Sequence, residues 1–214
     1  MSHRQELLNV YDGDATVIGV RPRREAKASG MAVGAVNVLV VNGRGEVLLQ
    51  RRPPDKENGG LWDKSVGGHV SAGEEFDVTA VREAAEELFD NGASPRVRLA
   101  ASDDDFAALL AAVDLRECVV LRRMSLQKNL RDVRHAPRHR GVRNVLYHVA
   151  IYAGRTEIPR ESFSPQASEV DELRFFRAFE LDRLLLRGRL APNMAFLWLT
   201  QGHALLQLGS QRGR

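Results

Sequence analysis

Short apolar runs broken by turn residues open the chain. Leu8–Tyr11 and Ala15–Val20 flank Asp12-Gly13-Asp14, so they predict a short hairpin, followed by the polar connector Arg21-Pro22-Arg23-Arg24. Met31–Val41 and Glu46–Gln50 are rich in Val, Leu and Ala. The tight-turn signal Asn42-Gly43-Arg44-Gly45 between them predicts a long antiparallel hairpin in a central sheet. Arg51–Gly67 is punctuated by Pro53-Pro54, Gly59-Gly60 and Gly67-Gly68 and reads as irregular. The period then changes: Val78, Val81, Ala85 and Leu88 step by three or four, predicting a helix over Glu74–Leu88, with Asp90-Asn91-Gly92 as its stop.

Downstream, Asp103–Val113 reads as a second helix with Phe106, Leu109 and Leu110 on one side. Glu117–Arg122 and Val145–Ala153 read as strands separated by a basic loop that runs from Arg131 to Arg143. A strand near Glu172–Phe176, a helix from Phe179 to Leu186 and a last helix from Asn193 to Leu208 complete the pattern.

Composition narrows the class. The 214 residues are 43% hydrophobic, enough for one buried core with additional elements. The longest apolar runs, Ala32–Val41 and Val145–Ala153, fall far short of the roughly 20 residues that span a bilayer. The first residues do not lead into a secretory signal, and Cys118 has no second cysteine to pair with, so a cytoplasmic protein is expected. Acidic residues (28) nearly balance Lys and Arg (31), a bias too mild to indicate a nucleic-acid binder and compatible with small phosphorylated substrates.

The chemistry lies in Gly68–Leu88, GHVSAGEEFDVTAVREAAEEL. At 100° per residue, Glu87 lies about 40° from Glu83 and Glu86 about 60° from it on the other side, so three carboxylates share one helix face. A lone glutamate pair is ordinarily a solvated face. Here the carboxylates repel one another and sit in fixed register with Gly68, Glu74 and Arg82, which makes most sense if a divalent cation neutralises them. Oxygen ligands without His or Cys partners point to Mg2+, with Mn2+ as the alternative, and such a site suits a phosphate-bearing substrate.

This segment resembles the box of the Nudix hydrolases: Gly, five residues, Glu, seven residues, Arg-Glu, an apolar residue, any residue, Glu-Glu, any residue, Gly and an apolar residue. Phe89 and Asp90 stand where the closing Gly-apolar pair is expected. The resemblance implies an α/β fold, a Nudix-type α/β/α sandwich around a mixed, partly antiparallel sheet. It organises the chain as a hairpin and connector (1–30), a Nudix hydrolase domain (31–208, box 68–88, insertion about 98–143) and a flexible tail (209–214). It further implies that Glu83, Glu86, Glu87 and the Gly67 carbonyl hold the metal, and that Arg82 and Glu74 pair to shape loop and helix around Gly68. Glu83 and Glu86 are the candidate general bases, with Glu169 or Asp171 behind them.

The run LLQRRPPDKENGGLWDKSVGGHVSAGE resembles the branch that includes isopentenyl diphosphate isomerase. That resemblance implies that Arg52 and Lys56 grip a diphosphate. The isomerase's catalytic cysteine is replaced by Gly67, its metal-binding histidines by Lys27 and Val33, and its later Glu-x-Glu strand by Arg143-Asn144-Val145-Leu146. Hydrolysis of a nucleoside diphosphate derivative or another small organic diphosphate is therefore the expectation. An isomerase-like enzyme and a non-catalytic RNA- or nucleotide-binding protein are the alternatives. Among weaker features, His135 and His139 are interrupted by Pro137, Cys118 is expected as a small core residue, and Trp62 as a packing residue.

Overall fold

The computed structural model describes residues 6–90, 96–136, 141–166 and 168–210, with backbone alone at 133–136, 141–143 and 209–210. In chain order it contains β1 (Leu7–Tyr11), β2 (Val17–Pro22), α1 (Arg23–Ala28), β3 (Ala32–Val41), β4 (Val47–Arg51), β5 (Trp62–Asp63), β6 (Val66–His69) and α2 (Phe76–Phe89). β7 (Val97–Ala100), α3 (Asp103–Ala112), β8 (Val119–Ala136), β9 (Gly141–Arg155), β10 (Glu172–Phe176), α4 (Ala178–Leu186) and α5 (Pro192–Ser210) follow.

One mixed sheet runs in the order β10-β4-β3-β9-β8-β7, with β1, β2, β5 and β6 pairing off this path. β3 is its hub: it pairs in parallel with β9 over its whole length and antiparallel with β1, β4 and β6. Side chains alternate across β3, as the two-residue period of a strand dictates. Val36, Val38 and Val40 meet the apolar face of α2, whereas Leu39 and Val41 meet residues of α3, α4 and α5. The result is the expected α/β/α sandwich. Among the described residues no helix is long and apolar enough to cross a membrane.

Several sequence expectations change. β3 and β4 pair only at Val40↔Leu48 and Val41↔Val47, so their hairpin is short rather than long. Beyond it the strands part, and Ser65 fills the gap, accepting a hydrogen bond from the Val40 N–H and donating to the Leu48 carbonyl. The freed edge of β3 is taken by β6, because buried backbone groups must find partners, so the supposedly irregular Arg51–Gly67 segment includes β5 and runs into β6. The polar connector folds into α1, which buries Ala26 against Leu8 and Val10.

Among the described residues, the expected basic loop is likewise strand. Arg131–Ala136 and Gly141–Arg143 extend β8 and β9 into a long antiparallel ribbon, with Arg131 opposite Leu146 and Asp132 opposite Val145. Cross-strand backbone pairing holds this ribbon, and its charged sequence hides the alternation that would have betrayed it. The side chains of Arg134, His135, Arg138, His139, Arg140 and Arg143 lie outside the described residues. At the other end of the chain, α5 continues through Gly209 and Ser210, the first two residues of the expected tail, and residues 211–214 lie outside the described residues.

The N-terminal hairpin is part of the sheet: Val10↔Val33 and Tyr11↔Ala32 join β1 to β3. Buried His148 on β9 fixes its turn. The ring Nε2 lies 2.7 Å from the Asp12 carbonyl, and Nδ1 accepts the Asn129 N–H at 3.2 Å. Asn129 itself takes a positive φ of 59° at a register shift of β8.

Candidate active site

Helix α2 is anchored by Phe76, Ala80, Ala84, Ala85 and Leu88, all buried. Val78, expected on that stripe, points the other way and is 56% exposed. The helix begins at Phe76, two residues later than expected, which leaves Glu74 in the turn before it. It ends at Asp90, which adopts the left-handed conformation and donates its N–H to the Ala85 and Glu86 carbonyls. Asp90 therefore supplies the stop expected from Asp90-Asn91-Gly92, an aspartate being tolerant of this region.

Because Glu74 precedes the helix, its carboxylate can turn back onto the first turns. Arg82 grips it with two parallel bonds, Nε to Oε1 at 2.9 Å and Nη2 to Oε2 at 3.0 Å, while the Thr79 hydroxyl donates to Oε2 at 2.8 Å. The remaining nitrogen, Nη1, reaches Glu83 at 3.0 Å and Glu86 at 3.1 Å. Burial alone would raise the Glu74 carboxyl, but the bonds and charge of Arg82 and the Thr79 bond hold it below the ordinary range.

Glu83 and Glu87 behave in the opposite way. Burial pushes the Glu83 carboxyl up, more than the Arg82 charge draws it down. Glu87, half-buried on the cavity wall, is pushed up to about 8 by burial and then by the negative charge of Glu83. Its Oε2 accepts the Gln50 amide at 2.9 Å and the Gly67 N–H at 3.2 Å. Gln50 Oε1 is buried and has no hydrogen-bond partner.

The two glycines ahead of the helix answer to space. A Cβ on Gly68 would stand 2.0 Å from the Glu83 carboxyl carbon, and one on Gly67 would stand 2.0 Å from Lys64 Cε. The Lys64 stem thus fills the space into which a side chain at position 67, such as a cysteine, would project.

These groups open into a cavity of about 650 Å3, lined by Lys64, Gly67, Gly68, Glu83, Glu86 and Glu87 at the α2 end. Arg52 also lines it, its Nε bonded to the Glu57 carbonyl at 3.1 Å. Lys56 reaches the rim through an ion pair with Glu169 at 2.8 Å, and Asp171 is held by Arg51 at 2.7 Å. The structure therefore brings together Arg52, Gly67, Gly68, Glu83, Glu86 and Glu87, with Arg82 and Glu74 as their brace. Among the described residues no group of three or more His, Cys, Asp or Glu is arrayed around a metal position, because Glu86 turns to Arg82 and Glu87 to Gln50 and Gly67. Trp62 packs edge-on against Phe176, as expected, whereas Cys118 is half-buried at the end of a turn rather than in the core.

Sequence reasoning missed Lys64 and Gln50. Both are buried; Gln50 ends a run that carries only a strand signal, and Lys64 lies in a segment that reads as irregular.

Residues 31–106 match the model of the NUDIX domain. An uncharacterized Nudix hydrolase of Pseudomonas aeruginosa is 37% identical over 93 residues, 41% of this chain and 55% of the relative. An isopentenyl-diphosphate Delta-isomerase of Photorhabdus laumondii is 32% identical over 84 residues, 39% of this chain and 48% of the relative. The chain spans about half the length of these curated relatives. A crystal structure of DR0079 from Deinococcus radiodurans superposes with a TM-score of 0.59 at 19% identity, covering 90% of this chain and 96% of the other. The NUDIX domain of Shewanella oneidensis NrtR, crystallised with ADP-ribose, gives 0.51 at 13% identity, covering 81% and 88%. Residues 31–106 thus resemble the NUDIX domain, and the relatives that share this segment are named both as Nudix hydrolases and as isopentenyl-diphosphate isomerases.

Proposed function

We propose that the protein is a magnesium-dependent hydrolase that cuts the diphosphate linkage of a nucleoside diphosphate derivative or another small organic diphosphate. The observation that carries this reading is the pair of half-buried carboxyls, Glu83 and Glu87, one helix turn apart on the wall of a cavity, with Gly68 leaving room for Glu83.

The donor set fits a hard divalent cation. Glu83, Glu86, Glu87 and the Gly67 carbonyl would hold it, and the partnerless oxygen of Gln50 shows that the region has oxygen donors to spare. Gathering all three carboxylates requires Glu86 to release Arg82, an exchange that costs little for a side chain 38% exposed. Bound there, magnesium would neutralise the carboxylates and draw electron density from the phosphate, making its phosphorus a better target for the attacking water.

Glu83 is the preferred general base. Burial raises its proton affinity, which makes it better suited than the more exposed Glu86 to take a proton from water near neutral pH. Arg82 positions it, held in turn by Glu74. Arg52, on the cavity wall, supplies a guanidinium for the substrate's phosphates, with Lys56 at the rim.

The named isomerases among the relatives keep an isopentenyl-diphosphate-isomerase-like reaction in view. Lys64 argues against it, since its stem occupies the space a catalytic side chain at Gly67 would need.

The test is release of phosphate and pyrophosphate from nucleoside di- and triphosphates, nucleotide sugars, ADP-ribose, dinucleoside polyphosphates and isoprenoid diphosphates, with and without magnesium. Magnesium-dependent release from at least one compound is expected. Silence from folded, magnesium-binding protein, with isomerisation of isopentenyl diphosphate, would overturn the hydrolase reading.

A further inference from the structure

We propose that Lys64 is a substrate-binding residue whose ammonium group contacts the diphosphate oxygens inside the cavity. This rests on the diphosphate-hydrolase reading and adds to it a contact that the box does not contain.

Lys64 is only 8% exposed, yet it lines the cavity beside Gly67, Glu83 and Glu87. Enclosing an ammonium group is costly unless it is matched by close partners. The match that Lys64 has is loose: Nζ lies 3.3 and 3.4 Å from the two carboxylate oxygens of the adjacent Asp63. Charge-assisted N–H···O bonds close to about 2.7–2.9 Å when satisfied. An ammonium carries three donors, so capacity remains for oxygens that enter the cavity.

The fold takes trouble to keep this side chain in place. Gly67 does not adopt a left-handed φ, so its missing side chain is not explained by backbone conformation. It is explained by Lys64, whose Cε, Nζ and Cδ all lie within 3.1 Å of where a Cβ would stand.

Electrostatics supply the reason. A diphosphate entering here meets the acidic side chains of Glu83 and Glu86, and like charge opposes its approach. A cation lining the same cavity offsets that repulsion. Arg52 is on the cavity wall, whereas Lys64 lies directly against the glycine that hydrogen-bonds Glu87.

The alternative role is charge balance for Asp63 and Glu87, which would be felt in stability and not in phosphate affinity. The experiment measures calorimetrically the affinity of the full chain for inorganic pyrophosphate in the presence of magnesium, with thermal midpoints in parallel. Lys64→Met should weaken pyrophosphate binding by about tenfold or more, the effect of losing a charged hydrogen bond. Gly67→Ala, which pushes the lysine stem aside but keeps the charge, should weaken it to a similar degree and should add nothing further in the Lys64→Met background. If Lys64→Met fails to fold, Gly67→Ala alone still decides. Unchanged pyrophosphate affinity in the folded variants, or a wild-type protein that binds no pyrophosphate, would overturn the proposal. Failure of the hydrolase reading is separate: it shows as an absence of turnover across the substrate panel, whatever the pyrophosphate affinity.

Discussion

The carboxyl group of Glu83 lies against the backbone of Gly68 so closely that a Cβ there would stand 2.0 Å from the carboxyl carbon. The glycine that opens the box therefore serves the glutamate fifteen residues later, by leaving it a berth.

Gly68→Ala is consequently expected to displace Glu83. Overpacking of this kind costs about 1–3 kcal/mol of stability, readable as a lower urea midpoint. Turnover should fall by about a hundredfold or more, because a displaced general base forfeits its contribution. Retained turnover in a folded Gly68→Ala protein would show that Glu83 is not the base.

Arg82 offers a second test. It grips Glu74 with two parallel bonds and meets Glu83 and Glu86 with its third nitrogen. Lysine preserves the charge but not the fork, so Arg82→Lys should lower kcat with little change in KM, as expected for a residue that positions the base rather than binding substrate. A change confined to KM would instead place Arg82 against the substrate.

A pH dependence follows from Glu87. Its folded carboxyl is pushed up to about 8 by burial and by Glu83, above the value of about 4.3 for a free glutamate. In that window the unfolded chain holds Glu87 ionised while the folded chain holds it protonated. The stabilisation is thus complete below about pH 4.3 and is lost as pH rises through about 8. Chelator-treated wild-type protein should lose stability between pH 5.5 and pH 8 relative to Glu87→Gln, by a few degrees in thermal midpoint at roughly 2–4 °C per kcal/mol. Parallel midpoints for the two proteins across that range would contradict the burial of an uncompensated Glu87.

How much of this was legible depends on whether the signal was local. The helix carrying Glu83, Glu86 and Glu87 was readable because its apolar spacing and charge register both lie within one short segment. Arg82 and Glu74 were readable as a pair from the resemblance of the box. Lys64 was not, because nothing in Trp62-Asp63-Lys64-Ser65-Val66 shows that the lysine folds over Gly67; that depends on β6 taking the edge of β3. Gln50 was hidden for the same reason: its amide meets Glu87 across 37 residues of chain. The outer part of the β8–β9 ribbon reads as a loop because its pairing is backbone to backbone between charged residues, with no apolar alternation to mark it.

The measurement that bears most directly on the central claim is hydrolysis of the best panel compound as a function of magnesium concentration, for the wild type, Glu83→Gln and Glu87→Gln. The wild type should show saturable, magnesium-dependent release, and each variant should fold but lose turnover by about a hundredfold or more. Equal, magnesium-dependent turnover in all three proteins would contradict the assignment of the acidic face of α2 as the metal-binding, water-activating centre.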